Sequence, residues 1–428
     1  MNKIPRHGPR RRPWLAAAPL AACLTVACAS AALGGTAASG VPAPLNCGAG
    51  GAPEPCLSPQ AYETAYGVTP LLHRGIDGRG ETVAMFELAQ TPGSRHGDGD
   101  IRQDLAAFDA KFRLPRTRLH VVNTIAGSAT PYLTDEEELG DAEMVHAFAP
   151  GAALDIILVP ASTTSSVANV AAAITKTIRE SAARHAAVLS FSFSGGEHCF
   201  TRGEVAAMHA ALEQARDQHV TVLGSSGDGG AVPAHYCGSP SVQVSLPASD
   251  PLVLGVGGTI LDASPGGAYL GEMAWNDDTG GSGGGYSSLF ARPSWQDGLD
   301  RARAARGVPD VSANADAYDA MATDNSYGQL RGDTGTSSSA PLWAGVIALA
   351  DQEAGRHLGF VTPALYAIGR SRACHRAFHD VVTGDNSVLT PAGVFTGYNA
   401  GRGWDPVTGW GSPDAQYLVP LLANTERA

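Results

Sequence analysis

Apolar runs of strand length alternate along the chain with segments of helical spacing, and that alternation restricts the architecture more than any other feature. "ETVAMFEL" (81–88), "ALDIILVPA" (153–161), "AAVLSFSFS" (186–194), "VTVLGSS" (220–226) and "LVLGVGGTIL" (252–261) read as buried strands. Between them, "VANVAAAITKTIRESAARH" (167–185) and "RGEVAAMHAALEQARDQH" (202–219) carry apolar residues at helical intervals. Strands that alternate with helices predict an α/β fold, a mostly parallel central sheet with helices on both faces. Functional groups then gather at the C-terminal ends of the strands. A glycine count of 52 and a proline count of 28 in 428 residues add many turns and argue against a helical bundle.

The formal net charge is −12, although Lys3, Arg6, Arg10, Arg11 and Arg12 stand in an N-terminal stretch without acids. The body is therefore more acidic than the total, which speaks against nucleic acid as a partner. The basic "RRR" followed by "WLAAAPLAACLTVACASAA" reads as an export signal over residues 1–31, cleaved after Ala29 or Ala31. "RRPWL" also fits a twin-arginine signal, and "LAAC" would suit lipidation of Cys23; simple secretion to the extracellular space ranks first. No later segment has the roughly 18 consecutive apolar residues a membrane span needs, so no stable membrane association is expected. Export permits disulfides. Cys47 is expected to pair with Cys56 and Cys199 with Cys237, leaving Cys374 unbridged. There is no C-x-x-C and no H-E-x-x-H, which removes the usual zinc patterns. Residues 32–56 are rich in Ala, Gly and Pro and read as a loose segment. A Gly-rich stretch, "DDTGGSGGGYSS" (277–288), reads as a surface loop near a site or a flexible connection.

Three short segments carry candidate chemistry. In "TDEEELGDAEMVHAFAPGAALDI" a helix is predicted before Pro150, and on it Glu137 and Asp141 share one face. Two carboxylates stacked in this way form an acid/base couple or, taken alone, an acidic solvated helix start. In "VTVLGSSGDGGAVP", Asp228 follows a strand end in a glycine turn, where an Asx turn is the plain alternative. In "GDTGTSSSAPLWAG", Ser337 precedes a helix predicted to begin near Ser338, with Ser338 and Ser339 at its start and Pro341 in its first turn.

Together and in this order, the Glu-x-x-x-Asp pair before "APGA" (149–152), the Asp of "SSGDGG" and the serine of "GTSSSAP" resemble the sedolisin family, the serine-carboxyl peptidases. The resemblance runs from Leu57 to the C-terminus and implies a subtilisin-like fold with a single large catalytic domain over residues 57–428. It implies a secreted, acid-acting endopeptidase, or an exopeptidase that removes short peptides, that works as a monomer on protein or peptide substrates. Ser337 would be the nucleophile, Glu137 the general base, Asp141 the group that holds Glu137, and Asp228 the oxyanion donor. It also implies Ca2+ in a C-terminal loop, with ligands from Asp380, Val381, Gly401, Gly403 and Asp405 in "FHDVVTGDN" and "AGRGWDPVTGWGSP"; hard calcium takes oxygen ligands of this kind. Subtilisin-type peptidases differ in using a histidine base and an asparagine donor. "HGDG" at His96 is similar to part of their histidine motif, but it lies in a hydrophilic stretch, and Asp228 stands where asparagine would be needed. The family carries a prosegment, whereas "LSPQAYETAYGVTP" already looks like the start of the catalytic domain; folding alone and help in trans both remain open. Relatives often have Trp where Ser194 stands, so specificity does not carry over.

Overall fold

A computed structural model describes residues 45–47, 55–89, 99–123, 133–134, 136–299, 302–317, 319–324 and 329–425. The export signal, Cys23 and His96 lie outside these residues. In chain order the elements that build the site are β1 (Thr82–Ala89), α1 (Ile101–Phe112), β2 (Arg118–Asn123), α2 (Glu136–Phe148), β3 (Ala153–Pro160), α3 (Val167–Ala183), β4 (Val188–Phe191), α4 (Arg202–Asp217), β5 (Thr221–Ser225), β6 (Leu254–Ala263), β7 (Tyr269–Ala274), β8 (Val311–Asn314), α5 (Thr336–Ala354) and α6 (Ala415–Ala423). The five strands and two helices read from the sequence all form.

These strands make an eight-stranded sheet among the described residues, in the order β7-β6-β5-β4-β1-β3-β2, with β8 also pairing β6. Every pairing is parallel except β6 with β7. Period-two alternation explains why both faces are covered. Val83, Met85, Leu154, Ile156 and Leu158 enter the core that α2, α5 and α6 share. Ala84, Phe86, Ile157 and Val159 point the other way, into the core under α3 and α4. Both of those latter helices start on sequence-encoded caps. Ser166 accepts from the Asn169 N–H, and Thr201 with Glu204 forms a reciprocal capping box.

Helix α5 is the axle of the molecule. Every residue from Thr336 to Asp351 is buried, and the helix packs on α2, α6 and the middle of the sheet. It begins two residues earlier than the sequence indicates, so Pro341 is not in the first turn but inside the helix. Ser338 and Ser339, its third and fourth residues, still belong to the helix start. The Ser339 hydroxyl donates to the Ala313 and Asn314 carbonyls of β8 at 2.9 and 3.1 Å, so it satisfies itself on a neighbouring strand instead of capping.

Cys47–Cys56 and Cys199–Cys237 are bridged, and Cys374 is unbridged and partly buried. The segment read as loose is ordered at its end: Leu45–Asn46 pairs antiparallel with Pro55–Cys56, and the first disulfide packs on Ala322. No described helix is long and apolar enough to cross a membrane.

Candidate active site

A cleft of about 350 Å³ opens at the carboxyl ends of the parallel strands. Phe86, Glu87 and Leu88 come from the end of β1, Ser192, Phe193 and Ser194 from just after β4, and Ser225, Gly227 and Asp228 from the end of β5. The N-termini of α2 and α5 close the cleft with Glu137, Glu138 and Thr336. Of the sequence-predicted residues, Glu137 and Asp228 line this cleft, one from a helix start and one from a strand end far apart in the chain, whereas Ser337 and Asp141 lie behind its lining.

Asp228 and Ser337 meet over Gly335. The Asp228 Oδ1 accepts from the Thr336 N–H at 2.8 Å and from its hydroxyl at 2.7 Å. Asp228 therefore caps α5 from a distant loop, a role that Gly335 at the N-cap position cannot fill. The Thr336 hydroxyl in turn accepts the Gly227 N–H at 3.0 Å, fixing the loop. With Oδ1 engaged, Oδ2 lies over Gly335, as the Ser337 Oγ does: a Cβ placed there would stand 2.9 Å from the one and 2.8 Å from the other. Ser337 is 8% exposed, and its hydroxyl donates to the Thr334 carbonyl at 3.3 Å, a long bond that is easily exchanged.

Glu137 and Asp141 do lie one helical turn apart on α2. Glu137 is exposed at the cleft, whereas Asp141 is 2% exposed and lies beneath it. The plain reading of a solvated acidic helix start therefore fails, since the helix is buried from Glu138 to its end. Ser192 donates to the Asp141 Oδ2. Buried Asp333 presents its Oδ1 3.0 Å from where a Cβ on Gly140 would lie, and burial raises its carboxyl above the usual range.

The Gly-rich stretch is a buried strap at the site, not a flexible connection, from Gly281 to Gly285. Its main chain laces to the Asp228 loop: the Gly281 N–H donates to the Asp228 carbonyl at 2.9 Å and the Gly283 N–H to the Gly227 carbonyl at 2.7 Å. A Cβ on Gly283 would fall 2.2 Å from the Ser226 carbonyl oxygen, so only glycine allows this approach.

Sequence reasoning missed Glu87, Glu138, Ser192 and His235. Glu87 and Glu138 are both buried, and Glu138 accepts the Leu88 N–H at 3.2 Å. The exposed His235 stacks on Phe193, with ring centroids 5.9 Å apart. The findable signal was position, because Glu87 and Ser192 sit where predicted strands end.

In the C-terminal loop, Asp380 accepts the Gly403 N–H at 3.0 and 3.2 Å. Asp405 accepts the Gly401 N–H at 3.1 Å on Oδ2 and the Val407 and Thr408 N–H groups at 2.8 and 2.9 Å on Oδ1. The Thr408 hydroxyl adds a fourth bond at 2.9 Å. Burial pushes the Asp405 carboxyl up to about 6 against these donors. Among the described residues no donor reaches the carbonyl oxygens of Val381, Gly401 or Gly403. Asp380 and Asp405 both bond to the 401–408 turn, and carboxylate oxygens of this kind suit a hard cation. Asp380 has the more open coordination capacity, because Asp405 already accepts four bonds from its own turn. No group of three or more His, Cys, Asp or Glu side chains that could hold a metal occurs among the described residues.

The family model described as the subtilase family matches residues 119–365. Kumamolisin from Bacillus sp. (strain MN-32) is 34% identical over 401 residues, covering 87% of this chain and 66% of that protein. Tripeptidyl-peptidase 1 from Homo sapiens is 30% identical over 270 residues, covering 57% of this chain and 44% of that one. The chain therefore spans less than two thirds of the length of these curated relatives. Among solved structures, Pseudomonas sedolisin, a serine-carboxyl proteinase complexed with two molecules of pseudo-iodotyrostatin, matches with a TM-score of 0.70 and 27% identity, over 86% of this chain and 98% of that one. The fold is that of the subtilisin-like architecture. The chain belongs to the subtilase family and, within it, to the sedolisin family.

Proposed function

We propose that the protein is a secreted, acid-acting serine-carboxyl endopeptidase that works as a monomer on protein or peptide substrates through Ser337, Glu137, Asp141 and Asp228. The observation that carries this reading is the convergence of the Ser337 Oγ and the Asp228 Oδ2 over Gly335, beside a cleft that Glu137 lines. The Ser337 Oγ attacks the scissile carbonyl carbon while the Glu137 carboxylate takes its proton. The carbonyl oxygen becomes an oxyanion, to which Asp228, protonated on Oδ2, donates a hydrogen bond. When the C–N bond breaks, the proton on Glu137 passes to the leaving amine and an acyl ester remains on Ser337. Water then attacks the ester, giving its proton to Glu137, and the acid product leaves as the Ser337 hydroxyl is restored. Asp141, buried one turn below Glu137, holds that side chain in place. Acid operation follows from two needs: a carboxylate base keeps working where imidazole is protonated, and Asp228 donates only when it carries a proton.

Calcium would be held by Asp380 and Asp405 with the carbonyls of Val381, Gly401 and Gly403. It would supply charge that offsets the buried Asp405 carboxylate and the exposed Asp380 carboxylate and would tie the C-terminal loop together, with no part in bond cleavage. Secretion is supported by the two disulfides, which persist in oxidising compartments.

Glu87 and Glu138, carboxylates beyond the four proposed, give a second reading some support, since they would bind the free ammonium of a substrate N-terminus. The identity with a protein named tripeptidyl-peptidase 1 points the same way. Peptides of equal sequence with free and acetylated N-termini separate the two at about pH 4. Internal cleavage of the acetylated peptide is the expected result; release of successive tripeptides from the free peptide alone would replace the endopeptidase reading.

A further inference from the structure

Pro341 breaks the hydrogen-bond ladder of α5 at one specific place. In a regular helix the Ser337 carbonyl would accept the N–H of residue 341, and proline has none. The donor that reaches that carbonyl instead is the Ser192 hydroxyl, at 3.2 Å. The same hydroxyl is bonded to the Asp141 Oδ2. Ser192 is itself held from the neighbouring strand, where the Ser225 hydroxyl donates to its carbonyl at 3.0 Å. One side chain on the end of β4 thus stands between the acid-bearing helix α2 and the main chain of the nucleophile. Its single hydrogen serves the two oxygens in turn, and both bonds form together when Asp141 is protonated and donates to it.

We infer that Ser192 is a positioning residue that fixes Ser337 relative to Glu137 and Asp141, through a carbonyl that Pro341 releases from the helix. The inference rests on the reading of Ser337 as nucleophile. Rotation of α5 about its axis, or its slide along α2, would change the distance between the Ser337 Oγ and the Glu137 carboxyl. A bond from β4 to both helices resists that movement.

Ser192→Thr and Ser192→Val test the link with side chains of nearly equal shape, one with and one without the hydroxyl. Ser192 is only partly buried, which leaves room for the added methyl group. The threonine variant is expected to keep kcat within about threefold of the parent, and the valine variant to lose about tenfold or more, with KM changed less than about twofold. The valine variant is also expected to melt about 2 °C or more below the threonine variant, and Asp141→Ala is expected to abolish most of that gap. The melting comparison reads the link without relying on catalysis, so an inactive parent enzyme would defeat the proposed function and leave the link measurable. An equal melting temperature for both variants, or a gap that Asp141→Ala leaves intact, would overturn the link. A gap that closes with Asp141→Ala but comes with equal kcat values would overturn the positioning role.

Discussion

Gly335→Ala should silence the site while leaving the molecule folded. Gly335 adopts φ 95° and ψ 163° at the N-cap of α5, a region open in practice to glycine alone. Forcing alanine into it costs about 1–3 kcal/mol, against a total stability of about 5–15 kcal/mol for an ordinary domain. The local consequence is larger. The new Cβ would stand 2.8 Å from the Ser337 Oγ and 2.9 Å from the Asp228 Oδ2, closer than real Cβ contacts, so the two oxygens must part. Asp228 has no easy retreat, since two bonds from Thr336 hold it, and the Ser337 hydroxyl must rotate out of its present position to make room. A misplacement of about 1 Å at a reacting group costs roughly a hundredfold, so kcat should fall by about tenfold to a hundredfold. Steady-state kinetics on a chromogenic peptide at about pH 4, paired with thermal melting, measure both effects. A variant that melts like the parent and keeps kcat within about twofold would refute the claim that these two oxygens work together over Gly335.

Stability should increase on acidification from about pH 9 to about pH 6. Burial raises Glu63 to about 8 and Glu272 to about 7, the latter despite donors from Ser412, Thr259, Tyr66 and Tyr269. The native state therefore binds more protons than the unfolded chain, so this contribution is full below the unfolded carboxyl range and is lost as pH rises through 7 to 8. As a whole residue Glu272 is only partly buried, but hydroxyls surround its carboxyl, and that enclosure governs the proton. The expected gain is on the order of 2–4 kcal/mol, read from urea midpoints; a flat profile would contradict it. His379 works the other way. Burial holds it down to about 4, so its contribution fades as pH falls from the ordinary histidine range toward that value. Chelation should lower the melting temperature, since an ion at a hundred times its Kd stabilises by about 2.7 kcal/mol. Asp380→Ala should remove that sensitivity, and an equal response in the variant and the parent would dismiss the loop as the cation site.

The framework was legible because buried parallel strands must be continuously apolar, and runs such as "ALDIILVPA" have few other uses. Glu137, Asp141, Asp228 and Ser337 stood out as candidates through their short motifs, each next to a predicted strand end or helix start. The missing parts depend on tertiary convergence. Ser192 lies in "SFSFS", where nothing local separates it from Ser190 or Ser194; only the approach of α2 and α5 gives its hydroxyl two partners. Pro341 misled for a related reason: it resembles a first-turn proline until the remote cap from Asp228 moves the helix start back to Thr336. The Gly-rich strap resembled a flexible loop because glycine supplies both mobility and close approach, and sequence cannot distinguish them until a second backbone arrives.

The most direct measurement is peptide hydrolysis from about pH 3 to pH 8 for the parent, Ser337→Ala, Glu137→Gln and His235→Ala. The account predicts activity confined to acid, lost in Ser337→Ala and Glu137→Gln and retained in His235→Ala. Activity that peaks near neutral pH, survives Glu137→Gln and disappears in His235→Ala would contradict it and assign the base to the histidine in the cleft.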